Sequence, residues 1–374
     1  MKVIGVLEKD STGIYIKAVE QACRALGERA EYVPVFWGSE DSDEMLEMML
    51  ELEKRGGNAY DTPEGCLDNS DAEIAVGQFA PFGSKFMEDM PEIRMIGLLR
   101  AGLENVDIEE ANKRGIAVVN ASGRNADAVS AFTIGLMLAE CRSIARCHHD
   151  IMQGKWIEHY SNYDNMPDLR GKTVGLFGFG YIGRLLAEKL SGFHVNIYVY
   201  DPYISEETAK KHHVKKVEKA ELFETADFIC VHARYTEETY HAIGKAEIDA
   251  MKPTAYFINS ARAGLVDYDA LTKALKEHRI AGAALDVYYE EPLHADSPFL
   301  KMDNVTLTPH TAGVTYDALI NSAKILGENI AHILDGEPKA GFVNPEVLEN
   351  PVFREWIEKA ADRIGRKDTG IQDV

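Results

Sequence analysis

The chain has 374 residues, 45% of them hydrophobic, and a formal net charge of −21 at pH 7. That length can bury a large core and favours two domains over one, while the negative charge repels phosphate backbones and anionic lipid, so neither nucleic acid nor a membrane surface is expected as a partner. No apolar run is long enough to span a bilayer, and the five cysteines (Cys23, Cys66, Cys141, Cys147 and Cys230) lack CxxC spacing, which argues for reduced thiols in a cytosol and against a metal or disulfide role.

Short apolar strands alternate with amphipathic helices almost throughout, the pattern of parallel sheets covered by helices on both faces. The amino terminus, MKVIGVLEKD, reads as a first strand rather than a signal peptide. The first system runs through KVIGVLE (2–8), EYVPVFW (31–37), EIAVGQF (73–79), RMIGLLR (94–100) and IAVVN (116–120), with an amphipathic helix after Ser11. Between its second and third strands, SDEMLEMMLELEKRGG predicts an acidic helix whose Met45, Leu46, Met49 and Leu50 recur at helical spacing and are expected in the core. One long helix is predicted from about Ala126 to Gln153. Cys147, His148 and His149 stand near its end, where adjacent residues point in different directions and do not share one ion; cations there suit the helix dipole.

The second system begins at Lys172. TVGLFGFGYIGRLLAEKL places a strand, then Gly178, Gly180 and Gly183, then an amphipathic helix. In a dinucleotide turn the first glycine lets the chain turn tightly, the second lets backbone approach a pyrophosphate, and the third lets helix and strand pack closely. VNIYVYDPY ends a second strand at Asp201, near the offset expected of a carboxylate that bonds the adenosine ribose. No arginine follows Asp201 to meet a 2′-phosphate, so the expected cofactor is NAD rather than NADP. Further strands follow at ADFICVHA (226–233), AYFINSA (255–261), IAGAALDV (280–287) and VTLTP (305–309). Their carboxyl ends carry His232 and Arg234, then Arg262, then Asp286 with Glu290 and Glu291, then His310. Ligands of open α/β sheets bind beyond the carboxyl ends of strands, so these residues are expected to face one crevice.

LLRAGLENVDI, GLFGFGYIG, NSARAGLVD, ALDVYYEEP and TPHTAG resemble motifs of the D-isomer-specific 2-hydroxyacid dehydrogenases, a family that includes phosphoglycerate, glyoxylate and D-lactate dehydrogenases; the resemblance runs from roughly Arg94 to Asn344. It implies two doubly wound parallel-sheet domains: a Rossmann NAD-binding domain at 122–312, and a flavodoxin-like substrate domain, discontinuous in sequence, at 1–121 and 313–345. Residues 346–374 remain as a helical extension, with Phe353, Trp356, Ile357, Ala360 and Ile364 at helical spacing.

By the same resemblance Arg262, Glu291 and His310 form the catalytic set, and Arg100, Ala101 and Gly102 join Arg262 in holding the substrate carboxylate. The cofactor site comprises Gly178, Phe179, Gly180, Tyr181, Ile182, Gly183, Asp201, His232, Ala261 and Asp286, with Asp286 at the nicotinamide amide. The implied enzyme is an NAD-dependent, cytoplasmic homodimer that interconverts a D-configured, polar or phosphorylated 2-hydroxy acid with its 2-oxo acid. Residue chemistry agrees with it. Hydride transfer to a 2-oxo acid leaves an alkoxide that must take a proton, and histidine titrates nearest neutrality. A carboxylate can fix its tautomer, and a guanidinium can clamp a carboxylate and polarise a carbonyl. Phosphite oxidation, whose enzymes share this set, and a NAD(H)-sensing regulator of the same fold are the alternative readings. Formate oxidation is disfavoured, because the family's formate enzymes carry glutamine where Glu291 stands.

The chain departs from the common family pattern at Val129-Ser130-Ala131, in the long aromatic stretch IEHYSNYDNMPD, and at Arg234, a place often apolar or proline.

Overall fold

The computed structural model describes residues 1–9, 11, 13–24, 26, 30–336 and 341–363. The chain divides into two compact units, one built from Met1–Asn125 with the described residues from Thr315 onward, the other from Ala126–Val314.

In the first unit five strands, β1 (Lys2–Glu8), β2 (Glu31–Trp37), β3 (Ile74–Gly77), β4 (Met95–Leu98) and β5 (Ala117–Asn120), form a wholly parallel sheet in the order β2-β1-β3-β4-β5. Because side chains alternate across a strand, each strand feeds two cores. Val3, Leu7, Ile74, Val76, Met95 and Val119 face helices Gly13–Arg24 and Tyr316–Leu334. Ile4, Val6, Ala75, Ile96, Leu98 and Val118 meet Met45, Leu52, Phe82 and Phe86 on the opposite face. Helix starts are marked chemically: Asp41 accepts from Asp43 and Glu44 N–H, Asp107 from Glu110 N–H and Thr315 Oγ1 from Ala318 N–H, each satisfying donors the first turn leaves open.

The acidic helix spans Ser42–Arg55, but its buried side chains are Met45 and Leu52, while Leu46 and Leu50 are exposed. The expected core stripe is therefore narrower and rotated, with Met45 and Leu52 buried in the core and Met49 only packed against it. The helix Pro351–Arg363 inserts Phe353, Trp356, Ile357 and Ala360 into the first core, and Trp356 Nε1 donates to Glu73 Oε2 at 2.7 Å; Ile364, expected on the same stripe, lies outside the described residues.

In the second unit seven parallel strands, β6 (Thr173–Phe177), β7 (Asn196–Tyr200), β8 (Lys215–Lys216), β9 (Phe228–Val231), β10 (Tyr256–Asn259), β11 (Gly282–Leu285) and β12 (Val305–Leu307), run in the order β12-β11-β10-β9-β6-β7-β8. Strand order reverses between β6 and β9, the place where such sheets open a ligand crevice. The two-residue β8 is too short to leave a periodic signal in VKKVEK, and the sequence reading does not contain it.

The single long helix expected over 126–153 is two helices, Ala126–Cys141 and Ile144–Met152, bent by 64°. Ser143 sits at the break with φ +54. The bend is built from buried polar groups. Fully buried Glu140 pairs with Arg146 at 2.9 Å and accepts from Thr306 Oγ1 at 2.6 Å, while Asn162 Nδ2 donates to the Cys141 carbonyl at 2.9 Å and its Oδ1 accepts from Ser143 Oγ at 2.9 Å. Asn162 belongs to the long aromatic stretch. That insertion thus satisfies the carbonyls the break leaves open. Among the described residues no single helix is long and apolar enough to cross a membrane.

Candidate active site

At the reversal point of the seven-stranded sheet, β6 ends in the turn Gly178–Gly183. Gly178 holds φ +99, a conformation that favours glycine, and a Cβ there would stand 2.5 Å from the Ala233 backbone nitrogen beyond β9. A Cβ on Gly183 would come 2.7 Å from the Gly178 carbonyl, whereas nothing lies within 4 Å of one placed on Gly180. The turn is thus packed solid at its first and third glycines and open at its second. Gly180 caps helix Tyr181–Leu190 with no side-chain bond, leaving the N–H groups of the first turn, Tyr181 and Ile182 among them, without an acceptor among the described residues.

Asp201, following β7, accepts from Phe179 N–H at 2.7 Å and from Tyr203 N–H at 2.8 Å, which ties the second strand's carboxylate to the glycine turn. His232, following β9, is 9% exposed, and neither ring nitrogen has a hydrogen-bond partner among the described residues. Burial pushes its pKa down to about 4, so the ring is neutral at pH 7. A neutral buried imidazole with two unsatisfied nitrogens beside an open phosphate turn is a group awaiting a ligand.

The remaining groups gather at the ends of β10, β11 and β12. Buried Asn259 organises the β10 turn: its Oδ1 accepts from Ala261 N–H at 3.0 Å and its Nδ2 donates to the Arg262 carbonyl at 3.2 Å. Arg262 itself is exposed, and among the described residues its guanidinium bonds only the Ala261 carbonyl, at 2.8 Å.

His310 Nδ1 lies 2.7 Å from Glu291 Oε2, and Glu291 Oε1 accepts from Tyr288 N–H at 2.9 Å. Burial alone would raise the Glu291 carboxyl; the bonds from His310 and Tyr288 and the charges of His310 and Arg262 instead hold it below its ordinary value, so it is ionised at neutral pH. Because Glu291 occupies Nδ1, Nε2 is the nitrogen left to work.

Asp286, expected at the nicotinamide amide, is fully buried, and its oxygens accept from Thr308 Oγ1 at 2.5 Å and from the N–H groups of Thr311 and Ala312 at 3.0 Å each. It clamps the turn in which His310 holds φ +53, an uncommon conformation for a residue with a side chain. Sequence reasoning missed this clamp, and it also missed Tyr235, which packs on the Arg262 turn so closely that a Cβ on Gly264 would come 2.6 Å from its ring. The ALDV motif signalled an acid at a strand end but not that the acid's partners lie 22 to 26 positions further on.

In the first unit the loop after β4 carries Arg100, Ala101 and Gly102. Arg100 is 7% exposed and already committed: its Nη2 pairs with Glu53 at 2.5 Å and Glu104 at 3.1 Å, and its guanidinium lies 4.5 Å over the Phe79 ring. The N–H groups of Ala101 and Gly102 have no acceptor among the described residues, while Asn120 Nδ2 donates to the Ala101 carbonyl at 3.0 Å and holds the loop.

A sheet that reverses at a glycine turn with an open second glycine places the second unit among dinucleotide-binding domains, and its residues fit NAD. Residues 134–312 match the family model for the NAD binding domain of D-isomer specific 2-hydroxyacid dehydrogenases. A glyoxylate reductase of Thermofilum pendens is 41% identical over 270 residues, 71% of this chain and 79% of that one. A D-3-phosphoglycerate dehydrogenase of Archaeoglobus fulgidus is 37% identical across 75% of this chain, which spans 53% of that longer protein. The NAD-complexed D-isomer specific 2-hydroxyacid dehydrogenase of Lactobacillus delbrueckii superposes with a TM-score of 0.73 at 22% identity, covering 92% of this chain and all of that one. The chain belongs to the D-isomer-specific 2-hydroxyacid dehydrogenase family, as an NAD-dependent enzyme of that class.

Proposed function

We propose that the enzyme reduces a 2-oxo acid to its D-2-hydroxy acid, and runs the reverse oxidation, with His310 moving the proton. The observation that carries this is the 2.7 Å bond between His310 Nδ1 and an ionised Glu291. NAD supplies or accepts the hydride when bound. Glu291 accepts from Nδ1–H, fixes the tautomer and stabilises the imidazolium, so Nε2 gives a proton to the developing alkoxide and takes it back in oxidation. Asp286 holds the turn that aims the ring. Arg262, which makes no ion pair among the described residues, meets the substrate carboxylate and polarises the reacting carbonyl. In the first unit, the free N–H groups of Ala101 and Gly102 are assigned to the substrate carboxylate, and Arg100, neutralised by Glu53 and Glu104, to holding their loop. His232, Ala261 and the 178–183 turn with Asp201 are assigned to NAD.

The working form in this reading is a cytoplasmic homodimer, supported by exposed Ile151, Met152 and Trp156 in the second unit. The substrate is a short 2-oxo acid, polar or phosphorylated, in keeping with the names of the glyoxylate- and phosphoglycerate-acting relatives.

The test is NADH consumption with glyoxylate, pyruvate, hydroxypyruvate and phosphohydroxypyruvate, with the configuration of any chiral product determined. Turnover giving the D isomer is expected. An L product, or tight NADH binding without turnover of any 2-oxo acid, would overturn the reading.

A further inference from the structure

Glu291 and His310 are tied together by a residue that lies outside the chemistry. Tyr288, half-buried after β11, bonds the pair at both ends. Its backbone N–H donates to Glu291 Oε1 at 2.9 Å, and its phenol OH donates to the carbonyls of Leu285 and Thr308, at 2.9 Å each. The Thr308 carbonyl is also the acceptor of the His310 backbone N–H, at 3.1 Å. The bonds therefore close a ring: Tyr288 N–H to Glu291, Glu291 to His310 Nδ1 at 2.7 Å, His310 N–H to Thr308, and Thr308 back to the Tyr288 OH.

Two carbonyls share one phenolic proton. Leu285 ends β11 and Thr308 follows β12, so the hydroxyl bridges the strand end that leads to Glu291 and the one that leads to His310. Burial pushes the phenol up, the bond to Thr308 opposes it and the charges of Asp286 and Glu291 add to it, so the group stays a donor at neutral pH. Asp286 does not duplicate this hold. It grips the turn through Thr308 Oγ1 and the N–H groups of Thr311 and Ala312, and leaves the Thr308 carbonyl and Glu291 to Tyr288 and His310. His310 at φ +53 has a sparsely populated backbone, which persists only where surrounding bonds maintain it.

The neighbouring tyrosines are anchored elsewhere. Tyr289 OH donates to the Val266 carbonyl at 2.5 Å and meets His241 Nε2 at 2.6 Å, while Tyr268 OH donates to the Val287 carbonyl at 2.8 Å. Among the described residues neither hydroxyl bonds Glu291, His310 or Thr308.

We infer that Tyr288 is a positioning residue for proton transfer: its hydroxyl holds the His310 turn in register with Glu291 and so keeps Nε2 aimed at the reacting oxygen. This rests on the dehydrogenase reading above and adds to it the group that aligns the proton-transfer pair.

Tyr288→Phe removes the hydroxyl and keeps the ring. Neither carbonyl is orphaned, because Thr308 O retains the His310 N–H and Leu285 O retains the Thr308 N–H at 3.0 Å. The variant should therefore fold, with a Tm lower by about 2–4 °C for one lost bond. Tyr289→Phe is the matched control in the same loop.

The first measurement is the single-turnover rate of NADH oxidation with the fastest of the four 2-oxo acids named above. Tyr288→Phe should slow it roughly 10-fold, short of the hundredfold that a 1 Å misplacement can cost. The KM of the 2-oxo acid and the NADH dissociation constant should stay within about twofold, and Tyr289→Phe should keep the wild-type rate within about twofold. Placed in Glu291→Gln, Tyr288→Phe should slow the reaction by less than about twofold more, since a hydroxyl that acts through the pair has no pair left to align. A wild-type rate in Tyr288→Phe, an equal loss in Tyr289→Phe, or the full loss repeated in the Glu291→Gln background would overturn the inference. The second measurement needs no turnover: NMR of ¹⁵N-histidine-labelled protein at a pH where the ring is neutral, with the His310 signals assigned by their absence in His310→Gln. The Nδ1–H tautomer should dominate in wild type and in Tyr289→Phe and lose share in Tyr288→Phe; an unchanged share would overturn the inference. If wild type reduces no 2-oxo acid while the tautomer shift appears, the dehydrogenase reading falls and the alignment of His310 by Tyr288 stands.

Discussion

Alanine placed singly at Gly178 and Gly180 separates the two duties of the glycine turn. At Gly180 the backbone is extended (φ −76) and a Cβ meets nothing within 4 Å. The helix loses a good N-cap, a cost of a few tenths to about 1 kcal/mol, while the unfolded chain loses about 0.4–1 kcal/mol of conformational freedom. The two nearly cancel, so Tm should stay within about 2 °C of wild type. The methyl does, however, stand on the open side of the turn, where the second glycine of a dinucleotide turn lets backbone approach the pyrophosphate, and losing even one charge-assisted phosphate bond should weaken NADH by about tenfold or more.

Gly178→Ala behaves in the opposite sense. Its φ of +99 and the 2.5 Å approach to the Ala233 backbone admit no side chain without parting the ends of β6 and β9. A backbone penalty of about 1–2 kcal/mol and a clash of similar size give about 3 kcal/mol, a Tm lower by about 6–12 °C for a unit of this size. Thermal unfolding and NADH fluorescence titration read the two effects separately. Unchanged NADH affinity in Gly180→Ala, or an unchanged Tm in Gly178→Ala, would refute the reasoning.

Asp201 predicts that kcat/KM with NADH exceeds that with NADPH by about 100-fold or more, since a 2′-phosphate would meet a carboxylate without a compensating cation; equal values would remove Asp201 from the ribose site. Arg262→Lys should leave NADH affinity within about threefold while cutting turnover at least about 100-fold, because an ammonium lacks the fork geometry; wild-type turnover in that variant would take Arg262 out of the chemistry. His232 has a folded-state pKa near 4 against an ordinary 6.5. A base with a depressed folded value costs stability as pH falls, starting near the unfolded value and complete below the folded one, here about 3 kcal/mol between pH 6.5 and 4. Denaturant unfolding at pH 7 and pH 4.5 should show wild type losing more stability than His232→Gln; parallel losses would mean that His232 is not held neutral by burial.

Much of this protein is legible before folding because its signals are local. β1 coincides with KVIGVLE, since a parallel strand buried on both faces is a continuous apolar run bounded by turns; the edge strand β2 coincides with EYVPVFW through its β-branched and aromatic residues, although only Val35 and Trp37 of it are buried. The glycine turn, Asp201, Arg262, Glu291 and His310 are equally visible, each being a motif within a few residues of a strand end. Features that depend on distant partners are not. The break at Arg142–Ser143 interrupts a run that is helical by every local measure, and it is fixed by Asn162, Tyr256 and Thr306, residues 19 or more positions away. Leu46 and Leu50 are exposed although they share helical spacing with buried Met45, because periodicity gives a face and not the extent of what packs on it. Arg100 reads as an available cation until Glu53, 47 positions earlier, is found paired with it. Asp286 likewise presents as a lone acid, and only the fold shows that it holds the histidine turn.

The central claim is that His310, oriented by Glu291, transfers the proton that accompanies the hydride. Its most direct test is the rate of 2-oxo acid reduction by His310→Gln under saturating NADH, with the NADH dissociation constant of the same variant measured in parallel. Loss of a general acid predicts a fall in kcat/KM of about 10²–10⁴-fold, with the NADH dissociation constant held within about twofold because the ring belongs to the chemistry and not to the dinucleotide turn. A variant that reduces the 2-oxo acid at the wild-type rate would contradict the account.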